Sequence, residues 1–193
     1  MKSTFILSMV VLLIGACHPR KNPPDKLEIV ENFINVLNSS SYEECKRYVA
    51  FPFELKEMDY SITYDEDGFK NLFQWDSIFN PKYTLSEISL NGDSVEAIVS
   101  KKCKRVLFLN EEPVVTKVIY TFENNRIKSQ NIISYEVFND QKWSDNRASL
   151  VSWVEQNHPE YNGFIHDQTK EGALNYVKVM KLYNEDKKML SAQ

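Results

Sequence analysis

At Pro81 the apolar residues change their spacing, and neither an all-helical nor an all-strand fold accommodates the change. Before it, outside one short alternating stretch over 53–64, they recur three and four positions apart; beyond it, as far as Phe138, they alternate. A 3.6-residue period lays one stripe of a helix on a core, whereas a two-residue period lays one face of a strand there. The order is therefore α+β, with helices first and a run of strands after them.

Four strands are predicted beyond Pro81. Tyr83, Leu85 and the stretch to Leu90 lead into Asn91-Gly92, a pair suited to the left-handed central positions of a tight hairpin. The return strand is expected from Asp93 to about Leu109, with Val95, Ala97 and Val99 alternating and a bulge or bend to absorb its length. A turn over 110–113 opens a third strand carrying Val114, Thr116, Val118, Tyr120 and Phe122 on one face, and Glu123-Asn124-Asn125 turns into a fourth with Ile127, Asn131, Ile133 and Tyr135.

Upstream, Asp25 and Glu28 have capping-box spacing before Leu27, Val30, Ile34 and Leu37, which predicts a helix over 26–38. Ser41 and Glu44 repeat the signal for a short helix carrying Tyr42, Cys45 and Val49 that ends before Pro52. Phe53 to Tyr64 reads as a hairpin around Asp59, and Asp65 caps a third helix with Phe69, Leu72 and Phe73 as its stripe. After the strands, Ser144 or Asp145 is expected to cap a helix carrying Leu150, Val151 and Val154. Thr169 is expected to cap the last one.

The first residues read as an address. Lys2 precedes the apolar run of 5–16, which is too short to span a hydrocarbon core of roughly 30 Å and so reads as a signal peptide. Ile14-Gly15-Ala16-Cys17 resembles the lipobox of bacterial lipoproteins; ordinary secretory cleavage after Ala16 is the competing reading. The resemblance implies lipid, palmitate among its acyl chains, on Cys17, and a polar tether over 17–24. His18 is not the aspartate that retains lipoproteins in the inner membrane, and Arg20-Lys21 lacks the acidic run of surface export in Bacteroidota, the expected source. The expected location is the cell envelope, at the outer membrane and facing the periplasm.

Two helices, a short hairpin, a third helix and a four-strand meander resemble the nuclear-transport-factor-2-like superfamily over 25–138. Local signs are Phe51-Pro52-Phe53, Ile78-Phe79 and the stretch from Tyr120 to Ile127. The resemblance implies a bent antiparallel sheet forming a cone around the N-terminal helices, with residues 139–193 added as a C-terminal helical pair of the same domain. The superfamily contains SnoaL-like cyclases and isomerases as well as adaptors, so the fold alone assigns no chemistry.

Asp59 and Tyr60 are the catalytic candidates, with a plain turn role for Asp59 as the competing reading. Thr116, Tyr120, Phe122, Asn131 and Tyr135 are the candidate ligand-binding set on the cone faces. Lys101, Lys102, Lys104 and Arg105 read as a solvated basic stretch around the bulge, or as a contact for an anionic headgroup or glycan. Cys45 and Cys103 would be the two unlipidated cysteines in an oxidising compartment. A disulfide between them is one reading and a buried free thiol at Cys45 the other. His158 and His166 lack ligand spacing, and with no Cys-x-x-Cys or phosphate loop no metal or cofactor is expected. A net charge of −4 gives no electrostatic reason for nucleic-acid binding. The main expectation is a non-catalytic, lipid-anchored module binding a protein partner, a second copy of itself or a small apolar ligand. The alternative is a SnoaL-like isomerase, cyclase or hydrolase acting on a small apolar substrate.

Overall fold

The computed structural model describes residues 25–191, so the expected signal peptide, the tether and Cys17 lie outside the described residues. Helix α1, Lys26–Ser39, starts where the Asp25 side chain accepts from the Leu27 N–H, and it buries Ile29, Val30, Phe33 and Ile34. A short α2, Tyr42–Cys45, runs into a 3-10 turn over Lys46–Tyr48. The second helix stops earlier than its spacing suggested because Val49 already pairs with Ile127, beginning strand β1, Val49–Glu57. Strand β2, Tyr60–Tyr64, completes the hairpin, and Asp65 caps α3, Glu66–Ser77, by accepting from the Gly68 N–H.

The meander consists of β3, Lys82–Asn91; β4, Ser94–Lys102; β5, Val114–Glu123; and β6, Arg126–Val137. Its left-handed turn residues are Gly92 at the first hairpin and Asn124 with Asn125 at the last. The six strands form one curved, unclosed sheet in the order β2-β1-β6-β5-β4-β3. Every pairing is antiparallel except β1 with β6, which is parallel because the chain returns to β1's side through the whole meander. The α+β cone is thus as expected. Helices α1 and α3 pack with the sheet around Phe33, Phe53, Val95, Val118, Tyr120 and Ile127.

One predicted strand is two elements. The chain leaves the sheet at Cys103 and forms α4, Lys104–Leu109. The Cys103 thiol accepts from the Val106 N–H at 3.4 Å, and the Phe79 carbonyl takes the Lys104 N–H at 3.0 Å. Val106 then packs into a second core and Leu109, three residues on, is buried as well, so strand alternation does not govern Lys104 and Arg105.

Helices α5, Asp140–Asn157, and α6, Lys170–Ser191, complete that core with Leu150, Val154, Tyr176 and Val179. Helix α5 begins a turn before Ser144 because Asn139 caps it, accepting from the Lys142 N–H, while the buried Asn110 side chain accepts from the Asn139 N–H. Cys45 and Cys103 are buried free thiols in separate cores, which corrects the disulfide reading. Burial pushes the Cys45 thiol up to about 12, as suits an inert apolar side chain.

At the end of α1 the Asn38 amide accepts the Tyr83 N–H at 2.7 Å and donates to the Tyr83 carbonyl at 2.9 Å. Asn38→Ala leaves both backbone groups without that partner, and a fall of about 1–3 kcal/mol in the unfolding free energy is expected, read from the shift of the urea midpoint.

Candidate functional site

Between the two helices and the sheet lies a cavity of about 690 Å³. Its wall is mainly apolar: Phe33 from α1, Phe69 and Phe73 from α3, and Val99, Val118 and Tyr120 from the meander. Into it project a few polar groups, the composition expected of a small-molecule site.

The first polar group is a largely buried carboxylate. Asp76 falls on the same face of α3 as Phe69, Leu72 and Phe73, so the period that buries those residues also turns Asp76 inward. Its side chain is 15% exposed, and Lys101 Nζ lies 2.6 Å from its Oδ1. The Tyr83 hydroxyl donates to its Oδ2 at 2.7 Å, and Lys101 Nζ also sits 5.2 Å from the centre of the Tyr83 ring. Tyr83 and Lys101 face one another across β3 and β4. Burial alone would raise the Asp76 carboxyl. The Lys101 charge, hydrogen bonds from Lys101 and Tyr83 and the more distant Arg105 outweigh burial and hold the carboxyl below its usual range. Burial, then the charge of Asp76, keeps the Tyr83 phenol far above its own. The resting site is an aspartate, an ammonium and a neutral phenol.

A second acid and phenol meet at the mouth. The Tyr135 hydroxyl donates to Glu57 Oε1, both side chains line the cavity, and Glu57 is exposed. Burial and then Glu57 raise the Tyr135 hydroxyl.

Of the ligand-binding set, Thr116, Tyr120 and Tyr135 line the cavity, and the Thr116 hydroxyl is held by the Val99 carbonyl at 3.3 Å. Phe122 and Asn131 do not line it. Phe122 instead packs at the rim of the first core below Lys26, and the cavity face of β6 carries Gln130, Ile132 and Tyr135. For Asn131 the cause is register: between Lys117 and Val118 the pairing passes over Ile133 of β6, so alternation does not carry from Tyr135 to Asn131, whereas Phe122 stays in step with Tyr120 but lies two residues nearer the end of β5. Asp59 is exposed in the β1–β2 turn and lines neither this cavity nor the one of about 370 Å³ beside it, whereas Tyr60, 63% exposed, lies on the wall of that second cavity, so the two are not brought together on one wall. The acid and phenol that do meet on the cavity wall are Asp76 and Tyr83, neither of which was among the candidates. Lys101 and Arg105, expected in the solvated stretch, both line the cavity. His158 pairs with Glu160 at 3.0 Å, and among the described residues no group of three potential metal ligands occurs.

No family profile and no curated protein matches this sequence. Among solved structures, wild-type IdmH of Streptomyces antibioticus, described as a candidate polyketide cyclase, is similar at a TM-score of 0.50. The identity is 11%, over 65% of this chain and 99% of that one. An NTF2-like protein of unknown function from Cytophaga hutchinsonii ATCC 33406 gives a TM-score of 0.48 at 16% identity, over 60% of this chain and 94% of that one. A candidate ketosteroid isomerase from Kribbella flavida DSM 17836 gives 0.48 at 13% identity, over 60% and 80%. The chain has the nuclear-transport-factor-2-like fold.

Proposed function

We propose that the cone takes up a small, mainly apolar molecule bearing a carbonyl and moves a proton on it, an isomerase- or cyclase-type reaction. The observation that carries this reading is the largely buried Asp76 carboxylate, held by Lys101 and Tyr83 on the wall of a cavity of about 690 Å³. The likeness to IdmH, itself described as a candidate cyclase, supports the same reaction class over a non-catalytic role.

While Lys101 and Tyr83 both hold Asp76, the carboxylate is a weak base. A substrate carbonyl oxygen that draws a hydrogen bond from Lys101 removes part of that stabilisation, and burial then raises the carboxyl's affinity for a proton. The same contact puts positive charge where the enolate oxygen develops negative charge. Asp76 takes the proton from the carbon beside the carbonyl. Where a double bond is conjugated with the enolate, returning the proton at the far carbon completes an isomerisation; where the enolate carbon instead attacks a second carbonyl and closes a ring, protonated Asp76 gives its proton to the alkoxide that forms there.

Proton exchange tests this without the natural substrate. In D2O, NMR of 2-tetralone should show the protein accelerating loss of the α-proton signal above buffer, and Asp76→Asn should reduce that acceleration roughly 100-fold or more. Exchange at the buffer rate, or equal exchange by the variant, would overturn the reading.

The lipobox-like stretch supports a place for this chemistry at the envelope membrane, with Cys17 as the anchor. On this reading Cys17→Ser moves the protein from the membrane fraction to the soluble fraction; a protein that stays in the membrane fraction contradicts it. No helix among the described residues is long and apolar enough to cross a membrane.

A further inference from the structure

We infer that the ligand of the cone carries a carboxylate, received by Arg105 where the main cavity meets a second one. This rests on the ligand-binding reading above and adds the chemical class of the molecule.

Arg105, on α4, lines both the main cavity and an adjoining one of about 370 Å³. Its guanidinium carbon lies 5.0 Å from the ring of Trp75, 5.8 Å from Phe79 and 5.1 Å from Trp143. Aromatic faces attract the cation and fix the planar group in place, yet they accept no conventional hydrogen bond. The Arg105 Nε is buried and has no hydrogen-bond partner among the described residues. The Tyr176 hydroxyl interacts with the same side chain.

Charge bookkeeping around the two cavities points the same way. Their carboxylates are Glu57, Asp76 and Asp140. Asp76 is paired with Lys101, and Glu57 is held by Tyr135. Asp140 is exposed in the first turn of α5. Among the described residues, neither Arg105 nor Arg147, which is exposed on the lining of the second cavity, forms an ion pair with a carboxylate. A half-buried cation surrounded by rings and without an anion favours an incoming carboxylate, whose two oxygens match the guanidinium fork. The apolar body of such a molecule faces Phe69, Phe73 and Tyr120, and Arg147 adds charge at the rim.

Isothermal titration calorimetry with 4-phenylbutyrate and with its uncharged amide, 4-phenylbutanamide, tests the inference on the wild-type protein. The acid should bind about tenfold tighter or better, the range of one charge-assisted hydrogen bond. Arg105→Met, which keeps an apolar stem between the rings, should abolish the advantage of the acid over the amide; Arg105→Lys should retain part of the preference. Equal binding of acid and amide by the wild type would overturn the carboxylate inference and leave the cavity reading standing. Binding of neither would overturn both. The wild-type comparison holds whether or not the variants fold.

Discussion

Lys101→Met is expected to destabilise the protein by about 3–5 kcal/mol at neutral pH, because it strands the Asp76 carboxylate without its cation. The pair is mostly buried, with side chains 15% and 27% exposed at a separation of 2.6 Å, so water screens the loss weakly. The pH dependence should change sign. In the wild type the Asp76 carboxyl sits below its usual range when folded, so its contribution is present above the unfolded value and is lost as pH falls through the folded one. Without Lys101, burial dominates and the folded carboxyl rises above its unfolded value, so the variant loses stability as pH rises through that interval. Urea unfolding across the acid range measures both slopes. Asp76→Leu added to Lys101→Met should recover much of the loss, since an apolar pair leaves no charge to desolvate. A single variant that keeps the wild-type slope would show that Lys101 does not hold Asp76.

Phe79→Ala should lower stability by about 3–5 kcal/mol, the range for truncating a fully buried aromatic ring. Phe79 is 0% exposed and packs edge-on against Trp75 at 4.9 Å and Tyr176 at 5.6 Å, tying the end of α3 to α6. In a chain this long each kcal/mol moves the melting temperature by about 2–4 °C, so a fall of roughly 6–20 °C is expected. A fall of this size would also establish that the C-terminal helices are part of the cooperative unit. A change within about 0.5 kcal/mol, as for a surface site, would contradict that. The variant also removes one ring of the Arg105 cage.

The order of elements was legible because periodicity is a property of each segment alone. Pro81 marked the change of period, Asn91-Gly92 marked a hairpin, and Asp25 and Asp65 capped helices where they were expected to. What escaped depended on contacts between segments. Counted back from Asn91 opposite Ser94, an unbroken hairpin would set Lys102 across from Tyr83; the shift between Leu85 and Glu87 brings Lys101 there instead. The turn of the chain into α4 relies on the Phe79 carbonyl receiving Lys104, a partner remote in sequence. Asp76 was within reach, since it continues the stripe of Phe69, Leu72 and Phe73, and a carboxylate at a core position is more informative than another apolar residue. Asp59, by contrast, looked promising through its neighbour Tyr60 but obeyed turn chemistry.

A ligand carbonyl in the cone that competes for Lys101 should raise the basicity of Asp76. Carbon-13 NMR titration of the Asp76 side-chain carboxyl, assigned by its loss in Asp76→Asn, measures this with and without saturating 2-tetralone. The midpoint is expected below the usual carboxylate range in the free protein, with a clear upward shift when the ketone is bound. An unchanged midpoint with the ketone shown to be in the cavity would contradict it.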